Sequence, residues 1–465
     1  MCDLTRRRAC YTPAILVRIR LIRRLVGING KEIYPPLFRS LIIAIALLGL
    51  APAGHAAPLL EELQGLMTAH PDVRAAERRL DQAREAVREA RAPLFPQLRL
   101  TGEYGYENVD SPVRRNSGGD AVVQTREIGR FEVTQKIFDG FGTDGQLKAA
   151  INREFQAGYG VERAEQQLML RATTAYLAVL RQTELVDIAL ATEGTIRRQL
   201  ALEDERVRRG SGLSVDVLQS KSRLQGAKEQ RVQLEGQLRS AVAEYVAVFH
   251  HAPEIGAMEP PLPPDSLLPT DLDVAIDRSF QVNPSMKQSL ERVGEAHQQH
   301  KAAISDFMPD VNLVAEGGLE NDSEGITGNR RELFLGVRAD WNIFNGFATL
   351  AAGNRTQQRI AATMENHASL SREVAKRVEV AWQTLVTLRE RQALAENAAT
   401  IASELFVART RLRSAGRDSV VNVLDAEREV NAARSRAAAA RYDALTQSFR
   451  LLFEIGDLNL DAYAL

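Results

Sequence analysis

The sequence predicts a mainly α-helical protein with a small β part, written twice along one chain. Three observations carry that prediction: motifs that recur at two fixed offsets, two long proline-free stretches, and four segments of alternating polarity. Average composition hides all three. The chain has 465 residues, with 59 Lys+Arg against 60 Asp+Glu and 45% hydrophobic residues; its mean hydropathy is −0.23. No stretch reaches the ~20 apolar residues that a membrane-spanning helix needs. A charged fraction of 26% together with the apolar fraction argues against wholesale disorder.

The chain opens on an expected leader. Leu41–Ala51 is an apolar run with Arg39 before it and small residues after it, around Ala53 and Ala56. That layout is a secretory signal, too short for an anchor. The arginines upstream (Arg6, Arg7, Arg8, Arg18, Arg20, Arg23, Arg24) read as an extended n-region or a start site placed too far upstream. They are not read as a nucleic-acid-binding arm. Both cysteines, Cys2 and Cys10, fall in this leader, so the rest of the chain has no disulfide, thiol nucleophile, Cys-based metal site or lipoprotein cysteine. Cleavage after Ala56 removes nine bases and two acids, leaving 50 bases and 58 acids and a charge of −8.

The repeat decides the organisation. Pro71 to Pro96 is matched by Pro284 to Pro309, and Glu103, Gly105 and Glu107 by Glu316, Gly318 and Glu320, all at an offset of 213. Ile137-Phe138-Asp139-Gly140-Phe141 then returns as Ile343-Phe344-Asn345-Gly346-Phe347 at an offset of 206, which holds through Gly210 and Gly416 and Leu218 and Leu424. One duplication with one loop indel between Glu107 and Phe138 explains both offsets. The resulting division is a signal at 1–56, a first repeat at 57–251, a linker at 252–269 dense in proline, and a second repeat at 270–465.

Within each repeat the period changes twice. Residues 72–93 read as helix and stop at Pro93 and Pro96. Strict alternation follows, with Leu98, Leu100, Tyr104 and Tyr106 on one face and Arg99, Thr101, Glu103 and Glu107 on the other. The return strand sets Phe131, Val133 and Ile137 against Arg130, Glu132, Thr134 and Lys136. In the second repeat Val311, Leu313 and Leu319 oppose Asn312, Glu316 and Glu320, while Leu333, Leu335, Val337, Ala339 and Trp341 oppose Glu332, Arg338, Asp340 and Asn342. Period two in runs of about ten residues fits a half-buried hairpin or a transmembrane barrel strand. Residues 143–209 and 349–415 then run without proline and are rich in Ala, Leu, Glu, Arg and Gln, all good helix formers. Gly210, Gly212 and Gly416 break them, and 214–249 and 419–454 return as helices.

Four strands do not close a barrel, and lipid tolerates no open sheet edge. Charged-in, apolar-out hairpins therefore call for further copies: two give eight strands and three give twelve. The charged face (Arg99, Glu103, Arg130, Glu132, Lys136, Glu316, Arg338, Asp340) is then expected to line a wet lumen. The bland reading is two hairpins packed on a helical core.

The repeat resembles the TolC-type outer membrane export channels over essentially all of 58–465. The carrying segments are Pro71-Asp72-Val73 to Pro96, Ile343 to Phe347, Gly416 to Ala426, Ala440 to Leu445 and Phe453 to Leu458. The resemblance implies a homotrimer with a twelve-stranded β-barrel in outer membrane lipid, continued by a long α-helical barrel across the periplasm. It also implies a periplasmic adaptor (membrane fusion protein) and an inner-membrane ABC or proton-driven transporter docking at the helix tips. Without a lipoprotein cysteine the chain looks nearer the branch serving type I protein secretion. Drug or small-molecule efflux is the alternative, and a periplasmic coiled-coil adaptor is the reading from a different class.

At the tip, the resemblance implies a constriction ring. Asp425 matches the family's second acid, Asn422 stands at the first, and Asp216 is the corresponding acid of the first repeat. The family's latching arginine is replaced by Asp418, with Arg417 adjacent, leaving Arg413 and Arg417 as candidate substitutes. A ring of Asp425 favours cations. The plain alternative is a solvated helix start with Asp418 as its N-cap.

Other patterns dissolve on comparison of the repeats. Gly140, Gly142 and Gly145 read G-x-G-x-x-G, but the second copy has Gly346, Ala348 and Ala351. His297 and His300 could share a helix face as metal ligands, yet have no counterpart in the first repeat. Trp341 and Tyr104 suit an interface girdle or core packing. No cofactor, metal or catalytic constellation is expected, and the protein is not read as an enzyme.

Overall fold

The computed structural model describes residues 58–463 apart from Gly212, so the expected leader lies outside the described residues. The elements run α1 (Pro58–Ala69), α2 (Pro71–Arg91), β1 (Gln97–Val109), a short α3 (Pro112–Asn116), β2 (Val122–Phe138), α4 (Gly142–Arg208) and α5 (Ser214–Phe249). After the Pro-rich segment come α6 (Leu272–Val282), α7 (Pro284–Ile304), β3 (Asp310–Ser323), β4 (Ile326–Asp340), α8 (Ala348–Ser414) and α9 (Val420–Ile455). Helices α2 and α7 have 21 residues each, α4 and α8 have 67, and α5 and α9 have 36. At ~1.5 Å per residue α4 and α8 each reach about 100 Å. The indel is the β1–β2 connection, which holds α3, where β3 and β4 are joined by Glu324 and Gly325 alone.

The shared Ile-Phe-Asp/Asn-Gly-Phe motif has a local cause. Gly140 and Phe141, like Gly346 and Phe347, adopt positive φ between 64° and 67°, turning the chain from strand into helix. Asp139 Oδ2 accepts from Thr143 N at 2.8 Å, and Asn345 Oδ1 from Thr349 N at 3.4 Å. These acceptors satisfy backbone donors that a helix start leaves free. At the far ends Gly210 and Gly416 (φ 77° and 73°) close the helices. Ser211 N bonds back to Arg206 O at 3.0 Å and Arg417 N to Leu412 O at 2.9 Å. A Cβ would strain that left-handed backbone.

The four strands form one antiparallel sheet in the order β1-β2-β3-β4, so pairing of β2 with β3 joins the two repeats. Register repeats faithfully: the pairs Gln97↔Thr134 through Asn108↔Val123 reappear as Asp310↔Asp340 through Asn321↔Asn329. The largest core lies away from the sheet, where α1, α4, α5, α9 and the C-terminal segment meet around Tyr176, Tyr245, Phe449, Leu452 and Tyr463. Tyr176 is 0% exposed. Its hydroxyl donates to Glu259 O at 3.1 Å and accepts from Glu259 N at 3.0 Å, pinning the Pro-rich segment.

Candidate functional site

The sheet separates its chemistry by face. Register places Arg99 opposite Glu132, and Glu132 opposite Glu316. On the same face lie Glu103, Arg126, Arg130, Lys136, Glu320, Arg338 and Asp340. These charges pair across strands: Arg126 with Glu103 at 3.3 Å, Arg130 with Glu320 at 2.5 Å, and Arg338 with Glu132 at 3.5 Å and with Glu316. Lys136 turns to Asp139 at 3.4 Å, and Asp340 faces Asp310 at the strand end. The strand residues expected on the charged face share it, except that β4 ends at Asp340, which leaves Trp341 and Asn342 beyond the strand. Ile128 and Val314 are apolar exceptions, buried beneath their charged neighbours, and Phe334, opposite Glu316, is an exposed one. The opposite face carries Leu98, Leu100, Tyr104, Tyr106, Leu333, Leu335 and Val337, between 66% and 84% exposed. Glu127 interrupts it, opposite Tyr104. An apolar face of this size left bare marks a missing apolar partner.

At the other end the two turns meet through charge. Arg413 on α8 donates to both carboxylate oxygens of Glu203 on α4 at 3.0 Å. Glu203 is 1% exposed and also takes Arg206 at 2.9 Å. Arg413 further donates to Asp418 O at 3.1 Å and lies 4.0 Å from Asp216 Oδ2. Asp418 Oδ2 accepts from Arg409 at 3.1 Å, and its Oδ1 from Asn422 Nδ2 at 2.5 Å. The Asn422 amide, reinforced by Arg409, holds the Asp418 carboxyl below the usual carboxylate range. Ser419, and not Asp418, caps α9 by accepting from Asn422 N at 3.2 Å. Asp418 sits one residue too early for the cap: besides Arg409 and Asn422 it accepts only from Ser419 N, at 2.8 Å, before the helix begins. Of the two candidate substitutes for the latching arginine, Arg413 spans the turns, whereas Arg417 is exposed and closes its own turn through its backbone. Asp425, 45% exposed, is ion-paired with Arg223 of α5 at 2.9 Å and lies 3.6 Å from Arg428.

Sequence reasoning missed Glu203, Arg223 and Glu427. A signal existed for the first: at the offset of 206, Glu203 corresponds to Arg409 and Val207 to Arg413, a sign reversal between copies. Glu427 is 5% exposed, and neither of its carboxylate oxygens has a hydrogen-bond partner. Burial pushes its carboxyl up to about 7, with Arg198 pulling the other way. Arg198 itself donates to Thr195.

The G-x-G-x-x-G glycines serve packing. A Cβ on Gly142 would lie 2.5 Å from Ser305 Oγ, and one on Gly145 2.9 Å from Ala302 N, so their absence lets α4 cross the end of α7 closely. His300 Nδ1 is engaged by Thr356 Oγ1 at 2.8 Å. Among the described residues no group of three or more His, Cys, Asp or Glu side chains is placed to hold a metal. Trp341 is 58% exposed, its indole donating to Phe307 O at 3.2 Å, and Tyr104 is 75% exposed, so neither is core.

Comparison with known proteins agrees with this geometry. A family described as outer membrane efflux protein matches residues 63–247 and 275–457, one match in each copy. Outer membrane protein TolC of Escherichia coli (strain K12) is 24% identical over 442 residues, covering 90% of this chain and 86% of TolC. Alkaline protease secretion protein AprF of Pseudomonas aeruginosa is 22% identical over 396 residues, covering 84% of this chain and 82% of AprF. The crystal structure of the outer membrane protein VceC from Vibrio cholerae aligns with a TM-score of 0.72 at 16% identity, over 86% of this chain and 96% of VceC.

Proposed function

This chain belongs to the outer membrane efflux protein family, and on that premise we propose that three copies form a passive export duct for type I protein secretion. It is an outer membrane channel protein extending into the periplasm. In this reading the leader 1–56 is removed on export, and the three sheets close a twelve-stranded barrel. The long helices continue the bore to a tip that meets a periplasmic adaptor and an inner-membrane ABC transporter. The observation that carries the reading is the sheet: one face ion-paired and wet, the other apolar and bare, on strands long enough to cross a bilayer. The likeness to AprF supports protein cargo. The family description, outer membrane efflux protein, supports the second reading, small-molecule efflux, for which a proton-driven pump would be the partner. Family and sheet together set aside the periplasmic adaptor reading.

At the tip Arg413, held to Glu203 and near Asp216, acts as the latch between the two turns, and Asp425 faces the bore. Deleting the gene and assaying the culture medium tests the cargo. Loss of a secreted protein with unchanged drug susceptibility is the expected result, and the converse selects efflux. In planar bilayers Asp425→Ala lowers cation selectivity, whereas Arg223→Gln, which frees that carboxylate, raises it; unchanged selectivity in both removes Asp425 from the bore.

A further inference from the structure

The two repeats build one joint from different chemistry. At the offset of 213, His70 corresponds to Asn283 and Asp72 to Ser285; at the offset of 206, His250 corresponds to Gly456. In the second repeat Asn283 caps α7, its Oδ1 accepting from Ser285 N at 2.9 Å, while its Nδ2 donates to Glu454 O at 2.9 Å near the end of α9. A Cβ on Gly456 would collide with Asn283 Cα, so the end of α9 lies directly against the cap. In the first repeat His70 caps α2, its Nδ1 accepting from Asp72 N at 3.1 Å. The His250 ring, at the end of α5, stacks on it with centroids 5.7 Å apart and planes 17° apart. An amide does not titrate, whereas an imidazole does so near neutral pH. We propose that the His70–His250 joint is an acid-sensitive switch, clamping the start of α2 to the end of α5 at neutral pH and releasing it when His70 takes a proton, while the Asn283–Gly456 joint holds at both. The switch is independent of the cargo and of the number of copies.

Pro71, at the first helical position, has no N–H, so Asp72 N is the first donor of α2 that needs an acceptor. Only a neutral imidazole offers Nδ1 as that acceptor, with its proton on Nε2. Protonation fills Nδ1, strips the cap and sets a cation at a helix N-terminus, where the helix dipole disfavours it. His70 is 6% exposed, which adds a desolvation cost to the charge. The residue also ties α1 to α2, since His70 N donates to Leu66 O at 2.9 Å and Arg74 N to His70 O at 3.1 Å.

The surrounding charges come from each packed element. On α2, Asp72 Oδ2 lies 3.8 Å from Nδ1 and favours the proton. Arg171 of α4 pairs with that same oxygen at 3.1 Å and opposes it, and His250 of α5 opposes it as well. Glu62 of α1 is engaged by the Tyr245 hydroxyl, and His251 sets its ring edgewise on Tyr245 and Phe249. Burial is the largest influence; Asp72 pulls the other way, Arg171 and His250 add to burial, and the His70 imidazole is held below its ordinary value. The folded chain therefore binds fewer protons here than the unfolded chain once pH falls to about 6.5. Stability from the joint is complete above that value and is lost as pH falls through it and below.

Hydrogen exchange of the intact protein in detergent, at about pH 7.5 and about pH 5 and corrected for the intrinsic rate at each, reads the two joints separately. Protection over the first turns of α2 is expected to fall about fivefold on acidification, the equilibrium equivalent of a lost N-cap, while protection at the start of α7 stays within about twofold. Glu427 does not mimic this result, since it lies on α9 and its raised carboxyl favours the folded state toward acid pH. His70→Asn, which installs the residue of the second repeat, is expected to abolish the fall at α2. His70→Ser, another cap without a titrating group, takes its place where the asparagine variant does not fold. Equal protection of α2 at both pH values in the unaltered chain overturns the switch. So does a fall that persists in the variant, or one of the same size at α7.

Discussion

Helices α4 and α8 have the same length and the same place in the two copies, yet α4 buries 20 of its residues and α8 only seven. The cause is company. Helix α4 packs against α1, α2, α5, α7 and α9, whereas α8 packs mainly against α6, α7 and α9 and meets α4 at the tip through Arg413 and Glu203. The duplication relates α2 to α7 and α5 to α9, so in the three-copy assembly proposed above the contacts of α4 with α7 and α9 would have their counterparts, for α8, in α2 and α5 of another copy. Exposed apolar side chains on α8, such as Leu350, Met364 and Leu394, lie on a helix whose neighbours one chain does not supply. Burial of a helix is decided by its partners, and one sequence pattern can yield a core helix and an interface helix.

The sharpest way to test that contrast is truncation at equivalent sites. Tyr176→Ala empties a fully buried position and is expected to cost about 3–5 kcal/mol, read by denaturant unfolding of the detergent-solubilised protein. Trp382→Ala, at the matching position of α8, is expected to cost less in separated protomers and to approach the same loss only in the assembled protein. Equal losses in separated protomers would erase the distinction.

Glu427 on α9 corresponds to Lys221 on α5 and tests the contrast through pH. Its carboxyl is raised from 4.5 to about 7, so between those values the folded chain holds a proton that the unfolded chain has lost. Stability from this group is therefore present at acid pH and lost as pH rises through that window. Glu427→Gln, which removes the penalty, is expected to stabilise by up to about 3 kcal/mol at pH 8 and to change little at pH 4.5. A thermal melt at the two values measures it, and equal shifts at both would dismiss the titration.

The turns come next. Arg413→Ala strips one partner from the buried Glu203 while leaving Arg206, an expected loss of about 1–3 kcal/mol, and releases the second turn from the first. Single-channel conductance is expected to rise, whereas Arg417→Ala leaves it unchanged. The smallest effect is at the helix starts. Helix α9 has the Ser419 cap, while α5 follows Leu213 with no side-chain cap. Ser419→Ala should cost about 1 kcal/mol, and Leu213→Ser should recover about half of that in the other repeat. Thermal unfolding compares them.

Much of this fold was legible because it is local and periodic. Helix-forming composition, the two-residue alternation, the prolines and the glycine turns place the long helices and the strands, and the duplication checks each against its copy. The charged sheet face was legible for the same reason, since alternation along a strand fixes which side chains share a side. The tip was not. Glu203 and Arg413 lie 210 residues apart in the chain, and no period links them. The same holds for Arg223 with Asp425. Asp418 and Ser419 are both favoured cap residues, and only the structure shows that the Ser419 oxygen meets the free N–H of Asn422.

By itself the sequence determined that the chain is duplicated, that each copy is helix, hairpin, long helix, turn and helix, and which strand residues share a face. These follow from backbone sterics and side-chain period, which act within a few residues. Tertiary structure decided that β2 pairs with β3, that Gly142 and Gly145 admit α7, that Arg413 meets Glu203, and that α4 is buried where α8 is bare. Those are contacts between segments far apart in the chain, and they depend on which surfaces are brought together in space.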